Sequence, residues 1–98
     1  VDTGIGGATS EIVGRKLKKV AGQQQVLCIT HLPQVAVFAD HHLQVEKLVE
    51  EGRTATLVSQ LDDRTRIEES SRMLGGAKIT DTTRKHAEEM LLAACAMI

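Results

Sequence analysis

The apolar positions of the chain recur at two different periods. Val13, Leu17 and Val20 fall at i, i+4 and i+7, the spacing that gathers side chains on one face of an α-helix. Thr9 or Ser10 suits the cap of that helix, Glu11 its first turn and Gly22 its close, while Arg15, Lys16, Lys18 and Lys19 take the opposite face. After the polar connector Gln23 to Gln25, the run from Val26 to Thr30 is apolar up to its last residue, which predicts a buried strand. Pro33 then predicts a short helix to about Ala39, with Val35, Ala36 and Ala39 apolar. From His42 the period becomes two. Leu43, Val45 and Val49 share one side, and Arg53 to Leu61 alternates again beyond Glu51-Gly52, so the two segments predict an antiparallel hairpin with one wet face. Asp62 or Asp63 caps a helix that runs to Leu74 and ends at Gly75-Gly76. Thr80 or Asp81 opens a last helix with Ala87, Met90, Leu91 and Ala94 on one stripe. The expected class is α/β, a short sheet with flanking helices and a β-hairpin, in one domain over residues 1–98.

Composition narrows what such a domain can do. At 98 residues there is room for one small core and none for a second catalytic domain. A net charge of -1 argues against a general nucleic-acid or membrane-surface binder. One Phe and no Trp or Tyr leave no platform for stacking bases. Two cysteines make no disulfide framework; Cys28 in the strand and Cys95 in the last helix read as small core residues of a reducing compartment. With no signal peptide and no run long enough to span a bilayer, the expected location is the cytoplasm. Val1 is not an initiator methionine and VDTG opens in mid-motif with no strand before it. A piece of a larger protein is therefore expected, with one sheet edge or face left uncovered and prone to self-association.

Two places could carry chemistry. Val1 to Gly7 holds three glycines and should be a loop that comes close to something or adopts positive φ. Neither phosphate-binding pattern, GxxxxGK[ST] or GxGxxG after a strand, is intact there, so a flexible turn before a helix competes with a ligand loop carrying Asp2. His31 follows the predicted strand at the edge where open α/β sheets keep their ligands. It could simply cap the next turn, or it could hydrogen-bond a phosphate or an attacking water, donating from one nitrogen and accepting at the other. His41 and His42 would point to opposite faces of a strand and His86 lies on a distant helix, so no spacing matches a zinc site. No G-x-S-x-G elbow supports covalent hydrolysis. The Arg15 to Lys19 face is either a solvated helix face or a contact for DNA or a partner chain.

The three stretches VDTGIGGATSEIVGRKLKKVA, QVLCITHLPQVAVFADHH and GRTATLVSQLDDRTRIEESSRMLGGAKITDTTRKHAEEML cover nearly the whole chain. Together they resemble the carboxy-terminal end of the RecN family, bacterial double-strand-break repair ATPases related to the SMC and ABC proteins. THLPQVA and RMLGG, with the following threonines and HA..ML, are the specific parts. The resemblance implies the C-terminal portion of a P-loop ATPase head. In it Val1 to Gly7 would be the D-loop, with Asp2, Thr3 and Gly4 reaching ATP across a head-to-head dimer, and His31 would be the switch histidine near the γ-phosphate. It further implies ATP and Mg²⁺ as cofactors of the intact protein, and as partners the N-terminal half of the head, the coiled coil, a second head and DNA, in a nucleoid-associated protein with no membrane contact. Walker A, the signature motif and the Walker B acidic pair are absent from this sequence, so the chain alone is expected neither to bind ATP tightly nor to hydrolyse it.

Overall fold

The computed structural model describes residues 7–76 and 78–96. Helix α1 spans Gly7–Ala21 and helix α2 spans Pro33–Ala36. Strands β1 (Leu43–Glu50) and β2 (Arg53–Gln60) follow, then α3 (Asp63–Gly75) and α4 (Asp81–Cys95). Helices around an antiparallel hairpin agree with the expected class. Asp62 caps α3 by a reciprocal pair of bonds: its carboxylate accepts from the Thr65 amide at 2.8 Å, and the Thr65 hydroxyl accepts from the Asp62 amide at 2.9 Å. Gly76 closes that helix with φ 69°, and Thr80 caps α4 through the Thr83 amide at 3.1 Å.

The core forms where α2 meets the two C-terminal helices. Val37, Phe38 and Ala94 are buried together, with Met90 and Leu91 packed against them, and Ala87 is wholly buried. The stripe expected on α4 is thus the one that packs. Arg84 of α4 adds an ion pair to Glu68 of α3 at 2.8 Å.

Helix α1 packs differently from its apolar spacing. It begins at Gly7, so Thr9 and Ser10 lie inside the helix and do not cap it. Its buried residues are Ser10 and Gly14, while Val20 is exposed. The reason is steric, because the Phe38 ring lies directly on the helix backbone at Gly14. A Cβ built there would sit 3.0 Å from Phe38 Cε2, 3.1 Å from the Gln34 carbonyl oxygen, and closer still to Phe38 Cδ2. Replacing Gly14 by Ala gains about 1 kcal/mol of helix propensity. Forcing the ring off its seat costs about 1–3 kcal/mol, and the Gln34 backbone cannot rotate away. Gly14→Ala is therefore expected to lower stability by roughly 1 kcal/mol, read as a downward shift of the urea midpoint with unchanged slope; a rise in the midpoint would show that the ring moves freely.

The run from Val26 to Thr30 is not a buried strand. The sheet among the described residues has two strands, β1 and β2, and this run joins neither. Leu27 and Ile29 are 85% and 87% exposed, whereas Val26, Cys28 and Thr30 are half-buried. Exposure at a period of two shows one side of the run facing the body and the other facing out. A strand needs a neighbour for its backbone groups, and the hairpin pairs with itself.

The hairpin also departs from expectation in what it covers. Its register runs from Leu43 opposite Gln60 to Glu50 opposite Arg53, and Glu51 and Gly52 turn the chain with φ of 50° and 76°. Positive φ at both turn residues matches the twist of the flanking strands and suits Gly at the second. Leu43, Val45, Val49 and Val58 form the apolar side, yet all are exposed; on the other side only Gln44 and Ser59, paired with each other, are half-buried. The expected dry face is therefore open in this structure, because the helices reach only the Gln44 end of the ribbon. The radius of gyration of 14.2 Å, against about 13 Å for a compact chain of this length, fits that open arrangement.

Two further expectations change. Ala39 is exposed and the buried residues after α2 are Val37 and Phe38. The cysteines do not both lie in the core, since Cys28 is half-buried and Cys95 exposed.

Candidate functional site

His31 stands at a bend two residues before α2 and is exposed. The bend is shaped locally, with the Leu32 amide donating to the Thr30 hydroxyl at 3.0 Å. Leu32 then enters the helix with extended backbone, φ -99° and ψ 122°, and Pro33 takes the first helical position, where its missing N–H leaves no bond unmade. From Val35 to Phe38 every residue is buried. His31 thus stands exposed on a turn whose continuation is anchored in the core.

The far end of α2 is held by a side chain the sequence reading did not single out. Arg66 of α3 points its Nη2 at three main-chain carbonyls: Ala36 at 3.2 Å, Val37 at 3.4 Å and Ala39 at 2.5 Å. The Ala36 carbonyl ends the helix and also accepts from the Ala39 amide at 3.1 Å, while the Val37 and Ala39 carbonyls belong to the turn that follows it. Burial lowers the pKa of the Arg66 guanidinium, with Asp63 and Asp40 acting in the opposite direction. A short helix that ends without a glycine cap needs an outside donor, and that need was the signal available in the sequence.

Lys18 also leaves the face assigned to it. It pairs with Asp40, just beyond α2, and this hydrogen bond, followed by the Lys18 charge, holds the Asp40 carboxyl below the usual carboxylate range. Arg15 pairs with Glu11 one turn earlier on the same helix at 2.6 Å. Of the four basic residues proposed as one face, Lys16 and Lys19 remain exposed without an ion pair among the described residues. Asp2, Thr3 and Gly4 lie outside the described residues. The structure therefore places His31, while the glycine-rich opening as far as Gly6 lies outside the described residues.

A second polar cluster joins the hairpin to α3. Glu69 is buried and accepts from Gln44 of β1 at 2.5 Å and from the Arg72 Nε at 2.9 Å. His42 lies beside it, half-buried, with Nδ1 lacking a hydrogen-bond partner. Burial lowers the His42 pKa, the Arg66 charge lowers it further, and Glu69 opposes them. The folded chain thus favours the neutral ring. Stability is unaffected by this group above the ordinary imidazole value of 6.5, and falls as the pH drops from there through the depressed folded value. His42→Gln is expected to flatten the pH dependence of the melting temperature between pH 6.5 and 5, leaving the further loss near pH 4 that protonation of Asp40 and Asp62 causes. An unchanged slope in the upper range would remove the assignment to His42.

No family model matches the chain. It is 46% identical over 91 residues to the DNA repair protein RecN of Bacillus subtilis, covering 93% of this chain and 16% of that protein. With RecN of Vibrio cholerae the identity is 48% over 94 residues, 96% of this chain and 17% of the relative. With RecN of Streptomyces coelicolor it is 46% over 91 residues, 93% of this chain and 16% of the relative. Similarity that covers nearly all of the chain in such distant bacteria puts it in one class with a segment of these proteins, each named for DNA repair. Within that class the chain belongs to the RecN family and corresponds to its carboxy-terminal part. It spans only 16% to 17% of the length of these curated relatives. Among the described residues no helix is long and apolar enough to cross a membrane.

Proposed function

We propose that this chain is part of the ATP-binding and hydrolysing head of a RecN-type protein that acts in double-strand-break repair and recombination, in the bacterial cytoplasm at the nucleoid. The observation that carries the reading is the position of His31, solvent-facing on a turn whose following residues are locked into the core. An imidazole so placed can donate to a γ-phosphate oxygen or accept from the attacking water while its backbone stays still. Asp2, Thr3 and Gly4 are assigned to the D-loop, which meets the ATP bound to a second head, and the rest of the same protein supplies the other half of the site. DNA is engaged through the intact protein.

Magnesium belongs to that reaction, where it neutralises developing phosphate charge. The described residues bring together no group of three His, Cys, Asp or Glu side chains able to hold a metal, so none of them is assigned to it. The chain's own contribution is to orient His31. Titration of the isolated chain with ATP in a calorimeter is expected to show no micromolar binding, because the sequence contains no Walker A lysine. Clear micromolar binding would overturn the assignment of nucleotide affinity to the rest of the head. A separate DNA-binding face on α1 finds little support, since Lys18 and Arg15 are engaged within the chain.

A further inference from the structure

We propose that Arg66 is the positioning residue for His31, a reading that rests on the role of His31 given above. Helix α2 has four residues and its N-cap Leu32 makes no side-chain cap, so it has little stability of its own. Two things keep it in place: the burial of Val35 to Phe38, and the Arg66 guanidinium at its C-terminal end. Burial of apolar side chains is non-directional and leaves the helix free to rotate or slide by a fraction of a turn. Hydrogen bonds to the carbonyls of Ala36, Val37 and Ala39 are directional and remove that freedom.

The chain from this anchor to the imidazole is short. Main-chain hydrogen bonds run from Val37 to Pro33 and from Ala36 to Leu32, each at 3.1 Å, and the Leu32 amide is bonded to Thr30 across the His31 bend. A shift at the carbonyl end is therefore passed to His31 through one helical turn. Arg66 is itself fixed, because it sits one residue past the Asp62–Thr65 capping box on α3. Its Nε is buried and makes no hydrogen bond of its own among the described residues, so its polar contacts with the body go through Nη2 to the α2 end. A side chain held only for charge balance would be aimed at Asp63 or Asp40, whose charges it feels. The Nη2 contacts are instead with neutral carbonyl oxygens.

The test uses the intact protein and steady-state ATP turnover. Arg66→Met keeps the aliphatic stem and removes the donors; it is expected to lower kcat by about tenfold while KM for ATP changes by less than about twofold. Arg66→Lys, which retains a charged donor at the same end of the side chain, is expected to recover most of the loss, and Arg66→Gln, whose amide is too short to reach the carbonyls, serves as the working variant if Arg66→Met does not fold. In a His31→Ala background, the Arg66 variants are expected to cause no further fall in kcat, since they act through the removed group. Turnover unchanged in Arg66→Met, or an added loss of the same size when it is placed in the His31→Ala background, overturns the proposal. Turnover unchanged in His31→Ala alone overturns the role of His31 itself, whichever way the Arg66 variants behave.

Discussion

In the intact protein, His31→Ala is expected to lower ATP turnover by about a hundredfold while ATP affinity stays within about twofold. The expectation follows from where the side chain stands. It is exposed on a turn and lies outside the buried apolar core, so its removal leaves that core intact. Ground-state affinity for a nucleotide comes mainly from phosphate-cradling backbone and lysine, which this sequence does not contain. A group that aligns the water or the transferring phosphate is realised chiefly in the transition state, and its loss falls on kcat. Single-turnover hydrolysis together with equilibrium binding of a non-hydrolysable analogue separates the two quantities. Parallel loss of both, or loss of neither, would return His31 to the role of a turn residue.

The second large effect concerns stability, and it is asymmetric. Glu69 and Arg72 share a hydrogen-bonded ion pair one turn apart on α3, but Glu69 is 7% exposed and Arg72 58%. Deleting the arginine leaves a buried carboxylate with Gln44 as its remaining bonded partner among the described residues; deleting the carboxylate leaves a guanidinium already in reach of water. Arg72→Met is therefore expected to cost about 2 kcal/mol at pH 7, less than for a fully buried pair because water reaches half of the site. Glu69→Gln, which can still bond Gln44, should cost under about 1 kcal/mol. Urea unfolding of the two variants at pH 7 measures this, and equal losses would show that the pair is solvated on both sides.

Much of the fold was legible because the governing signals were local. Asp62 with Thr65, and Thr80 with Thr83, announce helix starts through side chains that bond within one turn. The hairpin was legible because alternation and the Glu51-Gly52 turn together set its register. Where the reading failed, a distant partner decided. The spacing of Val13, Leu17 and Val20 was correctly helical, but Phe38, far along the chain, selected Gly14 as the contact. The apolar run at Val26 to Thr30 specifies a segment that can be buried, whereas a strand also requires a neighbour that no local pattern supplies. Of the candidate site, His31 was singled out for its place at the end of a buried strand, and the structure keeps it exposed at a bend but forms no strand before it. Arg66 was not, because its function is defined by carbonyls 27 to 30 residues away. Lys18 shows the same limit, since a lysine beside other lysines looks solvated until Asp40 is folded against it.

The Arg66 contacts also bear on the order in which the chain can fold. Joining Ala39 to Arg66 closes a loop of 27 residues if the chain between them is disordered. Once Leu43 has paired with Gln60, the path is cut to roughly ten, which lowers the closure entropy by about 1 kcal/mol. Pairing of the ribbon thus acts as a splint, because it brings the start of α3 within about ten residues of chain from the end of α2. The ribbon that covers little in the finished structure still shortens the path between the two ends that Arg66 joins.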